Sequence, residues 1–498
     1  MSSLWTETVS IPGRERLQGD RNAEVAVIGG GMAGILTARL LAESGIDVVV
    51  LEAAEIGSGQ TKNTTAKITS QHGLIYDKLA EQFGMEAAGQ YASANEKAIC
   101  EYRRIIDDYK IACHFTKSSA YLYTEEAAEG QAEKLTRKGE MAETLMREAE
   151  TARALGILAE FTVETELPFP VAGAVRFQEQ AHFHPLEFLK KIAEGLTIYE
   201  HTPALSVEEG RIRTERGTVT AEQVVFATHY PFINMPGYYF MRMYQERSYV
   251  LALDTGNLAG SLPFLPEGMY YGVDTEGLSL RSADGLLLLG GENHRTGENR
   301  EGGRYRRLGR RARELWPGCE ERFRWSAQDC MTLDGIPYIG KFSTKIPNWY
   351  VATGFQKWGM TGAMAAAMII RDAIVGKENP DGKVFAPERF TPSASAKNFI
   401  SGGLHTIRDL SREVFALPRA MTEELPCGHG GVVEYEGKKA GVYKEENGKL
   451  HVVSVRCPHL GCQLEWNPDE KSWDCPCHGS RFDYTGKRID NPAQEGIK

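Results

Sequence analysis

The 498-residue sequence predicts an α/β domain interleaved with an α+β domain, followed by a small all-β domain. Three observations predict it. A strand, a glycine-rich turn, a helix and a second strand follow one another between residues 24 and 51. Short strands with turn signals recur from 204 to 291 and close on LLLLGG. After residue 376 the texture changes to Pro, Ser and charge, and from 424 to short strands punctuated by glycine. The length alone asks for two or three cores.

EVAVI (24–28) is a short buried strand, MAGILTARLLAES (32–44) a helix and DVVVL (47–51) a second strand, together a β-α-β unit. Residues 75–155 are mostly helical in composition, interrupted by the strand-like AYLYT at 120–124. A meander over 204–227 ends in QVVFA, further strands fill 248–291, and NWYVATGF and TGAMAAAMIIRDAIVG give a last strand and helix. Residues 377–423 read as a linker or arm, and 424–498 as a small all-β domain.

Composition excludes several classes. Apolar residues make up 42% and charged residues 25%, with no apolar run of about 18 residues, so no membrane span is expected. The N-terminal segment lacks an apolar stretch behind a basic start, which makes the cytoplasm the expected compartment. A net charge of −10 argues against a nucleic-acid partner. Six arginines fall in 304–313, but Tyr305, Leu308, Ala312 and Leu315 recur at helical spacing and leave them on a solvated face.

The turn Gly29-Gly30-Gly31-Met32-Ala33-Gly34 fits G-x-G-x-x-G between a strand and a helix, and Glu52 ends the second strand. Gly29 permits the tight turn, Gly31 and the amides at Met32 and Ala33 face a pyrophosphate, Gly34 lets helix and strand approach, and Glu52 accepts from ribose hydroxyls. This is a Rossmann-like dinucleotide site; the motif itself leaves FAD and NAD open.

The chain resembles the D-amino-acid oxidase superfamily of FAD enzymes, which includes sarcosine and glycine oxidases. The likeness rests on GGGMAGILTARLLAESGIDVVVLEA, on Gly57-Ser58-Gly59 with the polar segment Thr61–Thr65, on Asp334–Gly340 and on Gly354-Phe355 to Gly359-Met360-Thr361. It covers about 22–376. It implies FAD-binding segments at about 22–100, 186–240 and 325–376, and substrate-domain segments at about 101–185 and 241–324. It also implies that Thr61, Thr64 and Thr65 contact FAD. Gly354, Phe355, Lys357, Gly359, Met360 and Thr361 should line the flavin's pyrimidine edge, where amides and a helix N-terminus stabilise negative charge. Some relatives link flavin to a histidine near Asn63 or to a cysteine near Cys330; neither position matches, so FAD is expected to be non-covalent. By the same likeness His294 is an active-site histidine and Tyr271 a lining tyrosine. Oxidases of this kind carry a lysine where Gly290 stands, so a dehydrogenase is expected rather than an efficient oxidase.

Four of nine cysteines cluster at the C-terminal end: Cys457-Pro-His459-Leu-Gly-Cys462, twelve residues, then Cys475-Pro-Cys477-His478-Gly-Ser480. Each half offers one Cys and one His. A zinc site would more commonly pair like with like, whereas mixed loops resemble Rieske proteins, in which two thiolates hold one iron and two imidazoles the other. The resemblance implies a [2Fe-2S] cluster on Cys457, Cys475, His459 and His478. It further implies a disulfide between Cys462 and Cys477, as in respiratory Rieske proteins, with Ser480 bonding a cluster sulfur. Phe482 replaces a tyrosine donor, so an intermediate potential within roughly −150 to +300 mV is expected.

The expected function is oxidation of a small organic substrate, an amine or amino acid, by hydride transfer to FAD. Electrons then leave through the cluster to an unidentified one-electron acceptor. Reverse flow, for a reductive or oxygenating reaction, and a structural or redox-sensing cluster domain remain the alternatives.

Overall fold

The computed structural model describes residues 2–126, 132–256, 263–389 and 424–498. Most of the expected linker, 390–423, lies outside the described residues. Its first part, 377–389, turns through two short 3-10 helices, Pro380–Phe385 and Pro387–Arg389, and is pinned by an ion pair between Arg389 and Asp334 at 3.1 Å.

Valine-rich runs with no polar alternation suit strands covered on both faces, and the first sheet is built from them. Arg21–Ile28 pairs in parallel with Thr218–Phe226 on one side and Val48–Leu51 on the other. Thr197–Tyr199 and Ile346–Thr353 extend the sheet in parallel, and Tyr338–Ser343 closes one edge as an antiparallel hairpin. Helices Met32–Glu43 and Gly359–Ile374 cover it and pack on each other. Gly34 makes this approach possible: a Cβ there would lie 1.9 Å from the Gly29 carbonyl oxygen.

The second sheet is largely antiparallel. It runs Glu320–Thr332, Met243–Asp254, Leu286–Arg295, Ser279–Ala283, Met269–Gly272, Thr116–Glu125, Val171–His182 and Lys67–Ile68. Two strands here lie across the expected segment boundaries. Glu320–Thr332 starts before 325 and pairs along its whole length with Met243–Asp254, because one long strand keeps one partner. Lys67–Ile68, inside the first expected FAD segment, pairs with the end of Val171–His182. The helical stretch resolves into Tyr76–Asp108 and Ala132–Ala154, and the strand between them, Thr116–Glu125, is longer than AYLYT.

The C-terminal domain contains a three-stranded sheet, Gly430–Tyr435, Lys438–Lys444 and Leu450–Val453. A four-stranded one follows, Glu465–Asn467, Ser472–Asp474, Arg481–Asp483 and Arg488–Asp490. Its core is aromatic and sulfur-rich: Trp466, Trp473, Phe482 and Tyr443 pack around the four clustered cysteines. Among the described residues no helix is long and apolar enough to cross a membrane.

This domain docks on the second sheet through buried polar groups. Arg247, 1% exposed, pairs with Glu470 at 3.2 Å. Glu470 also accepts from Ser326 and Tyr305. Asp469 caps the arginine-rich helix Arg304–Leu315, accepting from the amides of Gly303 and Arg304 at 3.0 Å each, where the helix N-terminus favours a carboxylate. In that helix Tyr305, Leu308 and Ala312 are buried, Arg306, Arg310 and Arg313 are exposed, and Arg304 and Arg307 pair with Glu292.

Candidate active site and cluster loops

The carboxyl ends of the parallel strands and one face of the second sheet enclose a cavity of about 640 Å3. At one end lie Gly29, Gly31, Met32 and Ala33, with Thr61, Thr64 and Thr65 beside them. The Met32 amide donates to Thr61 Oγ1 at 3.0 Å. Glu52 accepts from the amides of Gly30 (2.6 Å) and Ala54 (2.8 Å), and burial raises its pKa. The 16-residue helix Gly359–Ile374 directs its N-terminus into the other end, where Phe355, Lys357, Gly359 and Met360 line the wall.

Three expected cofactor contacts lie behind that wall. Gly34 is used in helix packing. Gly354 abuts Thr332, whose Cγ2 would lie 2.4 Å from an added Cβ. Thr361 bridges to Thr69, accepting from its amide at 2.9 Å and donating to its carbonyl at 2.8 Å. All three brace the backbone of the cavity. Cys330 is fully buried against Met243 and Thr353 and does not line the cavity, while Asn63 does.

Of the expected substrate-side residues, Tyr271 and Lys357 reach the cavity and His294 does not. A bulge at Glu292 (φ +58°) and Asn293, opposite Ser248, breaks the alternation of Leu286–Arg295, so that Asn293 and not His294 lines the cavity. The His294 ring is engaged by Tyr249 OH at 3.1 Å and the Arg295 carbonyl at 2.7 Å, and burial lowers its pKa to about 4. The Tyr271 ring meets Trp358 edge-on at 5.1 Å. Burial pulls the Lys357 pKa down, but Asp329 at 3.1 Å and Glu246 at 3.3 Å more than offset this and hold the ammonium charged.

Sequence reasoning missed two groups here. Lys67, on a two-residue strand, donates to the Tyr270 carbonyl and to Ser279 Oγ, both at 2.7 Å, and lines the cavity. Burial, with the nearby Arg281 charge, lowers its pKa to about 7. Ser279 is the register partner of Gly290, so a cation stands close to where position 290 lacks one. His229 also lines the cavity; burial lowers its pKa and its Nε2 has no hydrogen-bond partner among the described residues. No local motif marks either residue, since both arrive by tertiary packing.

Beyond His229 lie the two Cys/His loops. Cys462 and Cys477 are joined in a disulfide that ties them together. Cys457 and Cys475 are buried free thiols in hydrogen-bond contact. That contact pulls Cys457 down to about 7, and with burial pushes Cys475 up. The His459 and His478 rings meet at 4.9 Å, perpendicular to each other. The Nδ1 atoms of both are buried and have no hydrogen-bond partner among the described residues, and burial lowers their pKa values to about 4 and 3, so both rings are neutral near pH 7. Two soft sulfurs and two neutral imidazole nitrogens on loops tied by the disulfide are the donor types of a Rieske-type set. Ser480 reaches Cys457 and also accepts from the Ala493 amide at 3.0 Å.

The second loop is seated on the flavin-side domain. Gln245 Nε2 donates to the His478 carbonyl at 2.6 Å, and Gln328 Nε2 to the Gly479 carbonyl at 2.8 Å. Gln328 also lines the cavity, and Gln245 stands beside His229. Gly479 has φ +80°, and a Cβ there would collide with Gln245 at 2.7 Å. The first loop makes a lighter contact, His459 Nε2 with Asn234 Oδ1 at 2.8 Å.

Fold and site together define a flavoprotein oxidoreductase carrying an iron–sulfur domain. The chain belongs to the FAD dependent oxidoreductase family (DAO), whose model matches residues 24–373, and the Rieske [2Fe-2S] domain model matches 416–498. Its cofactors are accordingly FAD and a [2Fe-2S] cluster. It is 36% identical to the Rieske 2Fe-2S iron-sulfur protein YhfW of Bacillus subtilis, across 100% of this chain and 97% of that one. It is 25% identical to gamma-glutamylputrescine oxidoreductase of Escherichia coli, over 77% of this chain and 89% of the relative. In fold it is similar to L-proline dehydrogenase from P. horikoshii, with TM-score 0.59 and 18% identity, covering 74% of this chain and 98% of that one.

Proposed function

We propose that the chain is a dehydrogenase that oxidises a carbon beside nitrogen in a small amine or amino acid and passes the electrons through its own cluster to an external one-electron acceptor. FAD supplies two-electron hydride acceptance and the cluster single-electron transfer at a higher potential than an all-cysteine centre. In this reading Cys457 and Cys475 hold one iron, and Nδ1 of His459 and His478 the other. The observation that carries it is the seating of the His478 loop: Gln245 and Gln328, which hold that loop, also border or line the flavin cavity.

The chain's own groups fit the substrate step. Tyr271 and Trp358 give an apolar wall that excludes water from the reacting carbon. Lys357, kept charged by Asp329 and Glu246, stabilises negative charge near the helix N-terminus. Lys67, with a pKa of about 7, is suited to exchange a proton with a substrate amine. Gly290 stands where the resembling oxidases carry a lysine, and the nearby Lys67 is bound to Tyr270 and Ser279 with its pKa lowered to about 7, so the dehydrogenase reading rests on that weakened cation; a cytoplasmic location belongs to the same reading.

The test is anaerobic addition of amines and amino acids. Flavin bleaching followed by cluster reduction is expected. Bleaching alone would assign the cluster domain a structural or sensing role. Starting from protein with a reduced cluster, passage of that one electron to flavin would reverse the flow, and rapid peroxide formation in air would favour an oxidase.

A further inference from the structure

The outer wall of the large cavity is supplied by the C-terminal domain. Residues 487–494 line it, with Gly31, Met32, Glu52 and Thr61 lining the same cavity. This lip is fastened to the flavin-side domain: Gln60 Nε2 donates to Asp490 Oδ1 at 3.1 Å, and Asn491 Nδ2 donates to the carbonyls of Thr228 and Tyr230 at 2.8 Å each.

Within the lip, Arg488 is half-buried. Its Nη1 donates to the carbonyls of Ala493 (3.1 Å) and Gln494 (2.9 Å). Arg488 and Glu52 line the same cavity, and burial lowers the Arg488 pKa against the opposing charges of Asp490 and Glu52. The FAD diphosphate carries two negative charges, and the turn from Gly29 to Gly34 offers it amides but no cation. Lys357 is committed to Asp329 and Glu246 at the other end, and Lys67 is held by Tyr270 and Ser279, while Lys62 and Lys487 also line the cavity beside Arg488. Apolar side chains left open at the cavity also come from both domains: Leu205, 37% exposed, and Ile489, 48% exposed.

We propose that the Rieske domain completes the FAD site, with Arg488 placing its guanidinium on the FAD diphosphate, so that FAD bridges the two domains. The proposal rests on the two cofactors and is independent of substrate and direction of electron flow. By linkage, whatever fixes the lip raises FAD affinity, and FAD in turn fixes the lip.

The test uses the full-length chain, stripped of FAD in concentrated bromide and titrated with FAD by fluorescence, with iron content and cluster absorbance measured in parallel. Arg488→Gln should raise the FAD Kd about tenfold, Arg488→Lys should restore most of the affinity, and the cluster should be unchanged in both. The wild-type Kd should also rise more steeply with potassium chloride than that of Arg488→Gln. Asn491→Ala, which frees the lip but keeps the arginine, should weaken FAD as well. Arg488→Gln with wild-type affinity would overturn the proposal. So would a loss of affinity that Lys does not rescue, or one accompanied by loss of iron, since either would mark Arg488 as a brace for Ala493 and Gln494 only.

Discussion

The two Cys/His loops, each with one proposed thiolate and one proposed imidazole ligand, lie in opposite surroundings. In the loop from Cys457 to Cys462, Pro458, Leu460 and Gly461 are exposed and His459 is half-buried, touching the flavin-side domain through Asn234 alone among its described hydrogen bonds. From Cys475 to Ser480 every residue but Pro476 is buried, and two glutamines hold the backbone. The difference teaches how one small domain can face two ways: its second loop meets the flavin-side domain and its first meets solvent. On the proposed reading the buried loop is the inlet and the open loop the outlet.

The largest way to break this comparison is to remove a ligand from the buried loop. Cys475→Ser should abolish the cluster's visible absorbance and iron content while FAD absorbance remains. Next is the docking ion pair. Glu470→Ala leaves Arg247 buried without its carboxylate and should cost about 3 kcal/mol, read as a fall in Tm. Single hydrogen bonds come third: Gln245→Ala should slow flavin-to-cluster transfer, whereas Asn234→Ala should change it only about twofold, because one net hydrogen bond is worth little. Lys67 sharpens the substrate side. Its folded pKa is lowered from 10.5 to about 7, so the charged form prevails below that value and the neutral form above it. The kcat/KM profile should inflect near pH 7, and Lys67→Met should remove the inflection. The smallest effect belongs to His294→Gln, which should leave kcat within about a factor of 3, because the ring faces Tyr249 behind the wall.

What was legible in the sequence follows the same division. The glycine turn, Glu52 and the Cys/His loops are local patterns, and the structure places each together. The likeness to the D-amino-acid oxidase superfamily pointed to Tyr271 and Lys357 at the cavity, but a short motif could not show that a bulge at Glu292 and Asn293 turns His294 away. Lys67 and His229 were illegible because a two-residue strand and a positive-φ turn bring them to the cavity from distant parts of the chain. The docking of the C-terminal domain was hidden for a similar reason: Gln245, Arg247 and Gln328 read as ordinary strand residues until their partners at 470–479 are known.

On the proposed reading electrons cross from flavin to cluster inside one chain. Rapid mixing of the oxidised protein with substrate under nitrogen, at several protein concentrations, tests it most directly. The account predicts cluster reduction that follows flavin reduction with a rate independent of protein concentration. A rate rising in proportion to protein concentration, or a cluster that stays oxidised, would contradict it.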